Sequence, residues 1–274
     1  LPEKSGYKDG KAGFYDIGTT FSHTFNIKNK LNIYGYYSRD RFAFNENEKY
    51  GYGNINASVH WRSILNDRLI ANFSAGYDHY DYKNDETENE FQAARLSFAI
   101  NQYFAKANFN LELDKHKLNF GGSTLLYNIC TGTYEPLGED SNVALNELQK
   151  DKALESAVYL GDEWDITPKL SVNAGIRYSM FNALGPRDYY VYQPGALPSS
   201  TTVSDTVHVG GSRVLKTYHG PEFRLSGRYA FNDDFSAKVG FNTMRQNIHK
   251  VSNTSIMSPT DIWKLSDVNI KPQQ

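Results

Sequence analysis

Five times along this chain, two long segments of alternating apolar and polar residues are joined by a turn of about three or four mostly polar residues. The pairs run Gly13 to Asn26 with Leu31 to Phe44, Tyr50 to Ser63 with Arg68 to Tyr82, and Asn101 to Asp114 with Leu118 to Thr131. Ala153 to Ile166 with Leu170 to Ala183, and Gly220 to Phe231 with Phe235 to Ile248, complete the set. Alternation of period two specifies strands with two unlike faces, and the short turns make each pair an antiparallel hairpin.

The connections between hairpins, at 45–49, 83–100, 132–152 and 184–219 with a tail from 249, vary widely in length. One end of the strand array is therefore tight and the other long, as in outer-membrane barrels with short periplasmic turns and long extracellular loops. Strands of about 14 residues exceed the 9 to 11 needed to cross a membrane, and soluble sandwiches turn more often. A mean hydropathy of -0.60, with no apolar run near 18 residues, excludes a spanning helix but not a spanning strand.

The two faces separate by parity. Leu170, Val172, Ala174, Ile176, Tyr178 and Met180 oppose Ser171, Asn173, Gly175, Arg177 and Ser179. Phe223, Leu225, Gly227, Tyr229 and Phe231 oppose Glu222, Arg224, Ser226, Arg228 and Ala230. Tyr103 to Leu113 behaves in the same way, whereas Asp162 interrupts the apolar face of its strand, a position suited to a bulge or the membrane interface. With 20 Tyr, 16 Phe and 3 Trp, the chain carries rings enough for lipid contact, interfacial girdles and loop tips.

The net charge of -2 gives no support to nucleic-acid binding, and one cysteine, Cys130, excludes an internal disulfide. Phosphate-loop, HExxH, GxSxG and paired CxxC motifs are all missing, so no cofactor or catalytic residue is expected. Asp78, His79 and Asp81 form the densest polar cluster, but neighbours on a strand face opposite ways, so Asp78 and His79 are read as a solvated strand end. His208, His219 and His249 sit in or beside loops without ligand spacing, and sequons at Asn56, Asn72 and Asn253 are read as chance. The connection from Leu184 to His219 is too long for an ordinary structureless loop, so function or disorder is expected of it. Its Tyr189, Tyr190 and Tyr192 are candidate ligand contacts together with Trp263. Arg177, Arg224 and Arg228, with Asn173 and Lys238, are candidate lumen positions.

Two stretches go beyond a generic barrel. Tyr159 to Tyr178, with Tyr-x-x-Asp-x-Trp leading to Gly-x-Arg-Tyr, resembles a strand-turn-strand unit of TonB-dependent outer-membrane receptors. Gly220 to Phe231, continued through Met244 to His249 and Ser258 to Leu265, is similar to receptors of the Bacteroidota branch. The resemblance implies a 22-stranded barrel in the bacterial outer membrane, with an N-terminal plug, powered by the TonB complex and importing a scarce nutrient ligand. Its partners would be outer-membrane lipids, TonB acting through the plug, and a ferric siderophore, haem, cobalamin, glycan or peptide.

The expectation for residues 1–274 is an all-β, antiparallel, up-and-down transmembrane barrel portion of about ten strands, without the plug or the C-terminal strands. Taken alone, such a portion would be a curved sheet with two unpaired edges or a distorted closure. A self-contained ten-stranded barrel enzyme with its site at the rim, and a non-transporting surface barrel, are the alternatives.

Overall fold

A computed structural model describes residues 10–43, 45–251 and 262–274. Phe44, the Asn253 sequon and the Ser258 to Asp261 part of the second motif lie outside the described residues. Strands β1 (Lys11–Asn26), β2 (Asn29–Ala43), β3 (Glu48–Asn66), β4 (Leu69–Glu86), β5 (Ala94–Glu112) and β6 (His116–Pro136) follow one another as antiparallel neighbours. A two-residue β7 (Asn146–Glu147) lies against β6, and the sheet continues through β8 (Asp151–Thr167) and β9 (Leu170–Leu184). Two further short strands, β10 (Arg187–Tyr192) and β11 (Val203–Val209), form a separate hairpin before β12 (Val214–Ala230) and β13 (Ser236–Asn242) complete the sheet. A last hairpin, β14 (Ile248–Val251) with β15 (Ile262–Leu265), lies outside it.

The expected hairpins are all present, and several strands are longer than expected, with 19 residues in β5 and 21 in β6. Side chains close three of the tight turns by accepting backbone N–H bonds that the ladder leaves over. Asn26 Oδ1 accepts from Lys28 and Asn29 at 2.9 Å, Asn232 Oδ1 from Phe235 at 2.7 Å, and Thr167 Oγ1 from Leu170 at 3.0 Å. The sheet path ends at β1 and β13, and these two strands do not pair with each other among the described residues.

The register aligns like with like across strands. Tyr178, Val158, Gly122, Ala107, Phe73 and Trp61 form one cross-strand row, and Val158 stays 63% exposed. Arg177, Tyr159, Gly121 and Asn108 form a row on the opposite face. Gly121 is required there, because a Cβ would meet Ala107 O and stand 2.9 Å from the Tyr159 hydroxyl, which donates to Asn108 at 2.8 Å. Asp162 sits opposite Leu118, close to a tight turn, and accepts from His116 Nδ1 at 2.7 Å while His116 stacks on Trp164.

Two expectations need correction. The disorder allowed for the connection after Leu184 does not extend over its length, because β10 and β11 pair from Arg187 opposite Val209 to Tyr192 opposite Val203. The final predicted strand is also shorter than expected: β13 stops at Asn242, and the chain then turns across the polar face, where Gly220 (φ +153°) leaves room for the Arg245 guanidinium. Buried apolar residues gather where that crossing covers the sheet, with Leu265 joining Tyr127, Ile129, Ala153, Phe181 and Ala183.

Candidate functional site

The polar face carries two hollows. The one nearer the long connections has a volume of about 780 Å³ and is lined by Tyr36, Tyr52, Tyr80, Asn54, Asn56, Asp78 and Gln102, together with Trp263 and Lys250 of the last hairpin. Its rings offer stacking faces, and the amides and carboxylate offer both donors and acceptors, a combination suited to orienting a large polar ligand. Asp78 accepts from the Asn56 amide inside it. His79 instead pairs with Asn101 Oδ1 at 2.9 Å and Asp81 at 3.4 Å, so Asp78 and His79 serve different networks as the alternation requires.

The second hollow, of about 580 Å³, lies nearer the tight turns and is lined by Lys106, Tyr159, Asn173, Arg177, Glu222 and Arg224 among others. Here Arg177 lies between Glu155 and Glu222, 3.8 Å from each. Arg224 has no ion-pair partner among the described residues and is exposed, so its guanidinium is free to meet an anionic group. Arg228 stands opposite Lys238 of β13, outside both hollows.

A buried ionic cluster links the sheet to both added hairpins. Asp151, 1% exposed, receives Arg187 from β10, Lys264 Nζ at 3.4 Å and the Leu265 amide at 3.0 Å. Asp267 takes Arg187 Nη2 at 3.2 Å, and its carbonyl accepts the Tyr218 hydroxyl at 2.7 Å. Two acids face two bases, so the charges cancel within the cluster. Sequence reasoning passed over Asp151, Lys264 and Asp267, since nothing local distinguishes them from loop charges.

Of the candidates, Asn173, Arg177 and Arg224 come together in the lower hollow, and Trp263 lies on a strand facing the upper hollow instead of in a loop. Tyr189, Tyr190 and Tyr192 lie on β10 and line neither hollow. The histidines are each taken up locally: His208 by Asp188 at 2.6 Å, His219 by the Tyr178 hydroxyl at 2.6 Å and His249 by Ser266 at 2.9 Å. No group of three His, Cys, Asp or Glu side chains that could hold a metal occurs among the described residues.

No curated protein matches the chain. Among solved structures it is similar to the ferric-catecholate import receptor Fiu of E. coli K12 in its open form, at 10% identity over 88% of this chain and 48% of that one, with a TM-score of 0.63. The ferric preacinetobactin receptor BauA of Acinetobacter baumannii aligns at 12% identity over 94% and 43%, with a TM-score of 0.61. The copper transporter OprC aligns at 9% identity over 84% and 37%, with a TM-score of 0.64. This chain thus spans less than half the length of each of these structures. Such likenesses establish the fold alone. The family described as TonB dependent receptor-like, beta-barrel matches residues 3–260, and the chain therefore belongs to that family.

Proposed function

We propose that this chain forms part of the barrel wall and the ligand-capturing outer face of an active importer in the bacterial outer membrane. The remaining strands and a plug would come from the rest of the receptor, and the TonB complex would supply energy through that plug. The Gly220 to Phe231 and Met244 to His249 stretches, which resemble Bacteroidota receptors, support that branch of the family.

The upper hollow carries this reading. It lies nearer the long connections than the tight turns, and it combines Tyr36, Tyr80 and Trp263 with the hydrogen-bonding side chains of Asn54, Asn56, Asp78 and Gln102. Transport breaks no bond, so selectivity rests on stacking and hydrogen bonds at the capture site. Tyr189, Tyr190 and Tyr192 on the β10–β11 hairpin would make the first contact, and Arg177, Arg224 and Arg228 would line the route below. The structures named as a ferric-catecholate import receptor and a ferric preacinetobactin receptor favour a scarce chelated nutrient, with haem, cobalamin, glycans and peptides as the other classes to compare. Growth of a strain lacking the receptor, measured under limiting iron, cobalamin and glycan supply, tests the reading. A defect restored by the intact gene on one of these sources is expected; normal growth on all of them would contradict nutrient import.

A further inference from the structure

On the lipid-facing side of the sheet, near its outer end, lies a hollow of about 560 Å³ lined by Lys11, Arg39, Arg41, Lys49, Lys83 and Arg95 among others. Their common orientation follows from the register. Pairing of β2 with β3 runs without a shift from Asn29–Ser63 to Ala43–Lys49, so Arg41 and Lys49 share a face with Leu31, Ile33 and Tyr37. Lys83 lies opposite Gly51, and Arg41 lies between Gly13 and Gly51, whose missing side chains form the floor of the hollow.

Arg39 is held by Asp81 at 2.7 Å and Arg95 by Asp85 at 2.6 Å, with Glu135 at 4.0 Å from Arg95. Lys11, Arg41, Lys49 and Lys83 are exposed and have no ion-pair partner among the described residues. Six cations against three carboxylates stand out in a chain whose net charge is -2. Mutual repulsion makes such a cluster unfavourable unless an anion occupies it.

Its height identifies the anion. Asn29 adjoins a tight turn, and the twelve residues from there to Arg41 rise roughly 30 Å along the membrane normal at roughly 3.4 Å per residue and a tilt of 35–45°. That is about the thickness of the hydrocarbon core. A group of tyrosines marks the boundary just below, with Tyr15 and Tyr37 rings 5.9 Å apart and Tyr77 and Tyr103 rings 4.8 Å apart. Building on the outer-membrane reading, we propose that Lys11, Arg41, Lys49 and Lys83 form a binding site for the phosphate groups of a glycolipid in the outer leaflet. The site lies on the opposite face of the wall from both lumen hollows and is independent of the transported ligand.

The test uses the intact receptor purified from outer membranes, offered lipid A with both phosphates, the same lipid after dephosphorylation, or inorganic phosphate, with bound species read by native mass spectrometry. The expected result is at least a tenfold preference for the phosphorylated lipid, abolished by combined Lys11→Gln, Arg41→Gln, Lys49→Gln and Lys83→Gln, and retained when the three lysines become arginine. Pairing Arg41→Gln with Lys83→Gln gives a milder variant whose reduced preference tests the same point, with folding checked by heat-modifiable migration. Equal retention of both lipids, no effect of the glutamines, or displacement by millimolar inorganic phosphate would each overturn the site. A receptor recovered in the outer membrane without phosphate preference refutes this site alone, whereas absence from that membrane refutes the barrel reading as well.

Discussion

Arg187 Nη2 stands 3.2 Å from Asp267 Oδ2, and the same guanidinium reaches Asp151, which is 1% exposed. One side chain at the foot of the β10–β11 hairpin thus ties that hairpin, the sheet and the segment across its polar face together. Removing one member of a buried charge cluster leaves the others uncompensated. Arg187→Ala is expected to cost about 3 kcal/mol in local stability, because Lys264 remains to neutralise only part of the acidic charge. Hydrogen exchange of the Leu265 amide, which donates to Asp151 at 3.0 Å, measures it: exchange speeds up by roughly two orders of magnitude if the cluster holds the segment in place, and stays unchanged if it does not.

The two faces of the sheet predict opposite responses to the same substitution. Val158→Arg places a charge between Gly122 and Tyr178 on the lipid side and is expected to cost about 2–4 kcal/mol for folding into lipid vesicles. Asn173→Arg, directed into the lower hollow, is expected to cost less than about 1 kcal/mol. Denaturant titration in vesicles separates the two, and equal costs would contradict the assignment of faces.

The chain's crossing of the polar face depends on Gly220. A Cβ there would overlap Arg245, and φ of +153° strains any L side chain. Gly220→Ala is therefore expected to destabilise by about 1–3 kcal/mol and to expose the segment after Asn242 to limited proteolysis. Unchanged cleavage kinetics would show that Arg245 does not hold this crossing.

His249 is buried beside Ser266, and burial lowers its pKa from the ordinary 6.5. In the folded state the neutral imidazole is favoured, so the unfolded chain takes up its proton first as pH falls. Stability from this residue is complete above about pH 6.5 and declines as pH drops from there through the lowered folded value. Exchange at Ile248 to Val251 is expected to be faster at pH 5 than at pH 7.5, with the difference largely gone in His249→Gln.

The ten-stranded wall was legible because hairpin pairing is local and alternation repeats over long stretches, so turns such as Asn232 to Asp234 marked themselves. Arg177 and Arg224 were placed on the polar face by parity alone, and the register bears this out. The β10–β11 hairpin was hidden because six or seven residues give too short a period, and its two strands lie apart from the main sheet. The upper hollow was not visible: Tyr36, Asn54 and Asp78 meet only once β2, β3 and β4 have paired, and Trp263 joins them through a chain reversal that no local pattern encodes. The cluster of Lys11, Arg41, Lys49 and Lys83 likewise exists only after three strand pairings have set its register.

The most direct test of the account is the accessibility of single cysteines along β9 and β12 in intact outer membranes, after Cys130→Ser. At Ile176, Tyr178, Phe223 and Leu225 protection from a water-soluble maleimide is predicted; at Asn173, Arg177, Glu222 and Arg224 labelling from the lumen is predicted. Labelling that does not alternate with residue number would contradict a membrane wall with one lipid face and one aqueous face.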